Sequence, residues 1–193
     1  MTEPADPTRT YAHLHADATA VLDRWRAPDA QQDELRTGYL AHLAAHPDGV
    51  AKAGPPAHLT GSCLVVDATG EHVLLTHHRR AGQWFQLGGH LEPGDATLHD
   101  AARREAREES GIPDLEPLPE PVQLDRHTLE GDFGRCREHL DVRFVARAAA
   151  DAVPRVSAES HDVRWWPVDA LPEGTRAELS PLVEAGRRAL GLL

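Results

Sequence analysis

The N-terminal quarter of the chain repeats apolar residues at helical spacing. Residues 16–26 and 29–46 therefore predict two amphipathic helices, whose inward positions are Val21, Leu22, Trp25, Leu35, Tyr39, Leu40 and Leu43. Trp25 and Tyr39 could stack on a nucleobase, but aromatic residues at this spacing more often pack in a core. We predict a helical extension over residues 1–57 that serves as a cap on the fold, a dimer contact or a substrate lid.

Short apolar runs typical of strands follow this extension. Residues 60–67 and 72–77 flank a turn at 68–70 and predict a hairpin, and residues 84–87 predict a short strand. Three later strands and a final helix are predicted at 122–129, 139–147, 163–168 and 179–190. Mixed strands with a central and a terminal helix predict an α/β sandwich for residues 58–193.

The strand predicted at 139–147 has an alternating pattern. Leu140, Val142 and Phe144 fall on one face, which is expected to be apolar. We expect this strand to pair with 122–129 in the antiparallel direction.

The central helix is predicted over residues 98–110. Thr97 is a suitable N-cap, Asp100 completes a capping box, and Gly111 is a natural stop. These signals come from neighbouring residues, so they predict both ends of the helix.

Three carboxylates lie on one face of this helix. Glu105, Glu108 and Glu109 repel one another by about 0.2–0.5 kcal/mol per pair, and anions near a helix C-terminus cost a further ~0.3–1 kcal/mol. A solvated charged face is one interpretation. A hard divalent cation would instead make the cluster a binding site, and the glycines directly before the helix, Gly88 and Gly89, favour that interpretation because they let the backbone approach a ligand closely.

The stretch 88–112, GGHLEPGDATLHDAARREAREESGI, resembles the Nudix box, G-x5-E-x7-R-E-U-x-E-E-x-G-U with U aliphatic. The second half of the motif is filled without a gap by REAREESGI at 104–112. The resemblance implies a Nudix-like α/β/α sandwich with a mixed sheet. It also implies an Mg²⁺-dependent hydrolase that acts on a nucleoside diphosphate linked to another moiety.

The first half of the box departs from the pattern. Position 95 is Asp where the motif has Glu, and eight residues rather than seven separate it from Arg104. The added residue either compensates for the shorter Asp95 side chain, or the supporting role of that acid is lost.

The resemblance assigns roles to individual residues. Glu105 and Glu109 are expected as primary Mg²⁺ ligands, which Mn²⁺ can replace, with Glu108 added for a second ion. The Gly88 carbonyl is expected as a backbone ligand, beside Gly89, and Arg104 is expected to hold the glutamates by ion pairing. For the general base, Glu159 is the first choice, and Glu138 and the box glutamates are the alternatives.

Thirteen histidines raise the question of a zinc site. The candidates are His77, His78, His90, His127 and His139. Adjacent strand residues point to opposite faces, and no H-x-x-x-H or Cys/His pattern supports zinc, so the sequence disfavours such a site. His90, next to the glycines, is expected instead to contact a phosphate.

Charge and composition limit the kinds of partner that the chain is expected to bind. A net charge of −11 with no basic block argues against a nucleic-acid polymer or an anionic membrane as partner. Neither an apolar signal core nor a membrane-length apolar run is present, so a cytoplasmic protein is expected. The two cysteines, Cys63 and Cys136, are expected to be reduced and structural.

Three functions are compatible with the box. The first is a pyrophosphohydrolase acting on a small nucleoside diphosphate derivative, and a homodimer is common in that family. The second is a non-hydrolytic relative such as an isopentenyl-diphosphate isomerase, which uses a cysteine, whereas Cys63 here lies within a strand. The third is a catalytically retired nucleotide-binding regulatory module.

Overall fold

The computed structural model describes residues 6–129, 134–158 and 160–193. Within these ranges it has five helices, α1 Pro7–Thr10, α2 Ala12–Arg24, α3 Ala30–Ala45, α4 Leu98–Ser110 and α5 Leu179–Ala189. Its seven strands are β1 Ala57–Val66, β2 His72–His78, β3 Trp84–Phe85, β4 Leu87–His90, β5 Gln123–Thr128, β6 Glu138–Arg147 and β7 Ser160–Pro167. None of these helices has the length and apolar character needed to cross a membrane.

The strands form one mixed sheet around β1. This strand pairs with β6 in the parallel direction and with β2 and β4 in the antiparallel direction. β5 pairs with β6 as predicted, and β7 extends the sheet beyond β2. In this register Gly61 lies opposite Gly89 on one side and Val142 on the other, so β1 connects the glycine strand to β6.

Helices cover both faces of the sheet, which confirms the predicted sandwich. Cys63 and Val65 of β1 pack in one core cluster with Ala106 of α4. Their neighbours Leu64 and Val66 pack in another cluster with apolar residues of α5. Alternate residues of a strand point to opposite faces, so the apolar run of β1 supplies both cores.

The N-terminal helices pack against the same fold. Residues of α2 and α3 share a core cluster with α4, β5 and β6. Trp25 is buried and donates from Nε1 to the Pro121 carbonyl at 2.7 Å, and the Tyr39 hydroxyl donates to the Asp125 carbonyl at 2.6 Å. Both aromatic residues therefore pack within the chain. The prediction differed in detail, since α2 begins at residue 12 and the short α1 was not predicted.

Helix α4 has the predicted bounds. Thr97 Oγ1 accepts the Asp100 amide at 3.0 Å, and Gly111 adopts φ 67°, a left-handed conformation that glycine adopts readily. The expected capping box is altered, because the Asp100 carboxylate accepts from the Thr97 hydroxyl at 2.8 Å. A carboxylate from α2 joins the cap, since Asp17 Oδ2 accepts the Leu98 amide at 2.7 Å.

Candidate active site

The three predicted glutamates lie where the last turns of α4 pass over β4. The Glu109 residue is only 6% exposed, and its Oε2 accepts the Gly88 amide at 2.9 Å. Glu105 is also shielded, whereas the side chain of Glu108 is 62% exposed. The carboxylates therefore differ in exposure: Glu109 is fixed and buried, whereas Glu108 faces solvent.

Arg104 holds this cluster together. Its Nη1 donates to Glu105 Oε1 at 2.9 Å and to Glu108 Oε2 at 3.2 Å, and its Nη2 donates to the His90 carbonyl at 3.0 Å. It also forms a bidentate pair with Asp95. The hydrogen bonds to Asp95 raise the pKa of the Arg104 guanidinium above its usual range, and Glu105 adds to this effect. The guanidinium therefore stays charged.

Asp95 reaches Arg104 despite its short side chain. Its two oxygens accept Nε at 2.9 Å and Nη2 at 3.0 Å, and Oδ2 also accepts the Glu92 amide at 2.7 Å. The Asp95 side chain is 5% exposed. The contact is formed with the extra residue present, so the first of the two sequence alternatives is the one observed.

Gly88 and Gly89 of β4 allow α4 and β1 to approach this strand closely. A Cβ atom on Gly88 would lie 2.3 Å from the Ser62 Cβ, and one on Gly89 would lie 2.7 Å from Glu105 Oε1. Neither separation is sterically allowed as the structure stands. Gly88 therefore fits against β1, and Gly89 gives the Glu105 carboxylate its place.

Two adjoining cavities open beside the carboxylates. One, of about 770 Å³, is lined by all three box glutamates and by Arg80. The other, of about 490 Å³, runs toward Phe85 and Arg176, and Glu109 lines both. The arrangement provides an anionic region next to a chamber with aromatic and polar walls.

The oxygen donors fit a hard divalent cation. Mg²⁺ takes a few carboxylates, keeps several waters and also accepts carbonyl ligands. Glu105, Glu108 and Glu109 offer carboxylate oxygens at an open cavity, and Gly88 lies within hydrogen-bond distance of Glu109. Metal ligation by these residues stays a prediction.

A buried polar network lies beneath the second cavity and was not predicted from the sequence. Asp141 accepts from Thr60 Oγ1 at 2.9 Å, Ser62 Oγ at 2.7 Å and Arg143 Nε at 2.9 Å. The Arg143 side chain is 2% exposed and also donates to Asp125. The predicted apolar face of this strand is buried, but its polar face is buried too. The signal for this network in the sequence was the alternation of Asp141 and Arg143 along the strand, opposite polar positions of β1.

The other predicted acids do not join the glutamates among the described residues. Glu138 pairs with Arg126 at 2.8 Å and lines a separate pocket. Glu159 lies outside the described residues. His90 lines the larger cavity, but burial lowers its pKa to about 3. A neutral imidazole offers no charge to a phosphate.

Neither the position nor the ionisation of Cys63 suits nucleophilic chemistry. Its side chain is fully buried on β1, and burial raises the pKa of the thiol far above its usual range. Thiolate chemistry needs a lowered pKa and access to substrate. The structure therefore gives no support to an isomerase that uses this cysteine.

The chain was compared with known protein families and with solved structures. Residues 56–185 match the model of the NUDIX domain. A NUDIX-family hydrolase from Clostridium perfringens aligns with TM-score 0.53 and 22% identity, covering 70% of this chain and 97% of that chain. An Ap4A hydrolase from C. elegans aligns with TM-score 0.56 and 19% identity over 70% and 98%. The E. coli dihydroneopterin triphosphate pyrophosphohydrolase aligns with TM-score 0.54 and 17% identity over 67% and 92%.

Proposed function

The chain belongs to the NUDIX family and is a hydrolase, and from this premise we propose that it cleaves a nucleoside diphosphate linked to another moiety by attack of water on phosphorus. The observation that carries the proposal is the set of three glutamates on α4 that line the larger cavity, where Arg104 holds Glu105 and Glu108 and the Gly88 amide holds Glu109. Two of the similar solved structures are an Ap4A hydrolase and a dihydroneopterin triphosphate pyrophosphohydrolase, and these names are consistent with this substrate class.

We assign the metal ligands to the box. Glu105 and Glu109 would be the primary ligands, Glu108 would serve a second ion, and the Gly88 carbonyl would complete the set. Bound Mg²⁺, or Mn²⁺ in its place, supplies charge neutralisation on the phosphoryl oxygens and a water of lowered pKa.

The residues of this chain orient the reacting groups. The Gly88 amide fixes one oxygen of Glu109 and so holds this carboxylate in place at the wall of the cavity. Arg104, locked by Asp95, keeps Glu105 and Glu108 from separating under their mutual repulsion. Preorganised charge of this kind lowers the barrier because no reorganisation is needed during the reaction.

The two cavities would divide the substrate between them. Arg80 lines both and would attract the diphosphate. Phe85, with the Arg176 guanidinium 5.8 Å from its ring centroid, would contact one of the linked moieties by stacking. The net charge of −11 is compatible with small nucleotides, because a metal ion can bridge their phosphates to the carboxylates.

Glu159 is the proposed general base. Its neighbours support this choice, because Ser157 lines the larger cavity and the Ser160 carbonyl accepts Arg79 Nε at 2.8 Å. A box glutamate is the alternative.

The proposal is tested with a panel of nucleoside diphosphate derivatives incubated with protein and Mg²⁺ and analysed by chromatography. We expect one compound to yield two phosphorylated products, and Glu109→Gln to lower its turnover by about 10²–10³-fold or more, as for removal of a transition-state electrostatic contact. Glu116→Gln is the matched control, because Glu116 also pairs with arginines of α4 but lies outside both cavities. Full activity in Glu109→Gln would remove these carboxylates from the mechanism.

The same panel separates the alternatives. Tight binding of a nucleotide without cleavage, in protein that binds Mg²⁺ by calorimetry, would favour the regulatory module. The division into residues 1–57 and 58–193, a cytoplasmic location and a homodimer stay predictions from the sequence.

A further inference from the structure

A second group of side chains of metal-ligating types lies beside the box, and two of its members, His90 and His139, line the larger cavity together with the box glutamates. His58, His90, Cys136 and His139 each offer one ligand atom, and these four atoms lie within 4.8 Å of one another. They come from β1, the end of β4, the segment before β6, and β6. Cys136 and His139 are close in sequence, so three separate parts of the chain converge on one point.

The three imidazole rings face one another closely. The ring centroids are 5.1 Å apart for His58 and His90, 5.4 Å for His58 and His139, and 5.1 Å for His90 and His139. Cys136 Sγ lies 3.9 Å from His90 Nε2. Tetrahedral zinc with bonds of about 2.0–2.3 Å separates its ligand atoms by roughly 3.3–3.8 Å, so small side-chain shifts close the site.

Two nitrogens of the cluster are buried without a hydrogen-bond partner among the described residues. These are Nε2 of His58, a residue only 1% exposed, and Nε2 of His139. An unpaired buried nitrogen of this kind destabilises the folded state unless a partner satisfies it. His58 Nδ1 donates to the Pro55 carbonyl at 3.0 Å, which sets the tautomer so that Nε2 presents its lone pair to the cluster. Metal-binding histidines are held by the same kind of backbone contact.

We infer that these four residues form a Zn²⁺ site distinct from the carboxylate site. Three imidazoles and one thiolate give four nitrogen and sulfur ligands, the number and type that a closed structural zinc site uses. Mg²⁺ prefers oxygen ligands, so the two sites select different metals. This inference does not depend on the proposed hydrolysis.

The zinc site ties the glycine strand to its neighbours. His90 ends β4, and its backbone carbonyl accepts Arg104 Nη2 at 3.0 Å. A metal bond to its ring would fix the point where the strand passes into the loop before α4. The site therefore positions the box through the contact between His90 and Arg104.

The sequence disfavoured zinc, and the inferred site departs from that expectation. His77 and His78 are absent from the cluster, and His127 pairs with Asp125 at 2.8 Å. The ligands follow no helical spacing because they come from distant strands. The only local signal is Cys136-x-x-His139.

The test compares the two cysteines of the chain. Full-length protein is purified, its metal content is measured by mass spectrometry, and the metal-free form is titrated with Co²⁺. We expect one zinc per chain and an absorption band from thiolate-to-cobalt charge transfer. Both should be lost in Cys136→Ala and retained in Cys63→Ala, because Cys63 lies in the core outside the cluster.

Two further measurements keep the inference falsifiable. A millimolar excess of Mg²⁺ should leave the cobalt band unchanged, and His139→Gln should weaken the band even if Cys136→Ala fails to fold. Absence of the band when metal-free wild-type protein is titrated with Co²⁺, its survival in folded Cys136→Ala, or its displacement by Mg²⁺ would each overturn the inference.

Discussion

The pair between Asp95 and Arg104 allows a sharp test of how the box is held together. Asp95→Asn keeps the size of the side chain but removes its charge. The substitution changes two charge-assisted contacts, at 2.9 and 3.0 Å, in a side chain that is 5% exposed. The Glu92 amide, which donates to Asp95 Oδ2, can still find an oxygen acceptor.

The expected cost follows from these contacts. Hydrogen bonds to charged groups contribute about 1.5–3 kcal/mol, and Asn keeps part of that. With Arg104 itself partly open to solvent, we expect the free energy of unfolding to fall by about 2–3 kcal/mol. At about 2–4 °C per kcal/mol for a chain of this size, the melting temperature should fall by roughly 4–12 °C, measured by circular dichroism.

Glu116→Gln is the matched control, since Glu116 contacts Arg103 and Arg107 but its side chain is 58% exposed. Exposed pairs contribute about 0–1 kcal/mol, so its melting temperature should hardly change. Equal melting of wild type and Asp95→Asn would refute the pairing. Turnover in Asp95→Asn should fall less than in Glu109→Gln, because Arg104 keeps its contact to Glu105. An equal loss would show that the acid at 95 is integral to the site.

Two more predictions concern the N-terminal helices. Asp17→Ala removes the acceptor of the Leu98 amide, so the free energy of unfolding should fall by about 1 kcal/mol, seen as a lower urea midpoint; an unchanged midpoint would contradict this cap. Burial raises the pKa of Tyr39 well above its usual value, with Asp141 and Asp125 adding to it, so the folded state favours the neutral phenol. This contribution is complete below about pH 10, the pKa in the unfolded chain, and is lost as pH rises above it. Tyr39→Phe should therefore lose less stability than wild type between pH 9 and 11, and equal slopes would count against it.

Local interactions explain what the sequence predicted well. Thr97 and Gly111 determine the ends of α4 through contacts within a few residues, so both ends were predictable. β1 begins three residues before the predicted start, because the Arg137 amide donates to the Pro56 carbonyl at 2.9 Å and β6 then pairs with β1 from residue 57. That contact joins segments about eighty residues apart, which no local pattern records.

The candidate site likewise has one part that local sequence predicts and another that depends on contacts between distant segments. The box glutamates share one helix, so their common face followed from helical geometry alone. The partners of Asp141 lie on β1, at Gln86 between β3 and β4, and on its own strand. The proposed zinc ligands come from three segments. Only the sheet register, such as Thr60 opposite Asp141, brings these groups together.

The N-terminal extension is joined directly to the loop that carries Asp95. His13 Nε2 donates to the Asp95 carbonyl at 2.8 Å, Asp17 caps α4 at Leu98, and Tyr11 lines the larger cavity. Of the three roles expected from sequence, these contacts match a cap on the fold. The loop between β4 and α4 is thus fixed by α2 at one end and, through His90, by the proposed zinc site at the other. Because Arg104 binds both His90 and Asp95, both anchors act on the residue that holds Glu105 and Glu108.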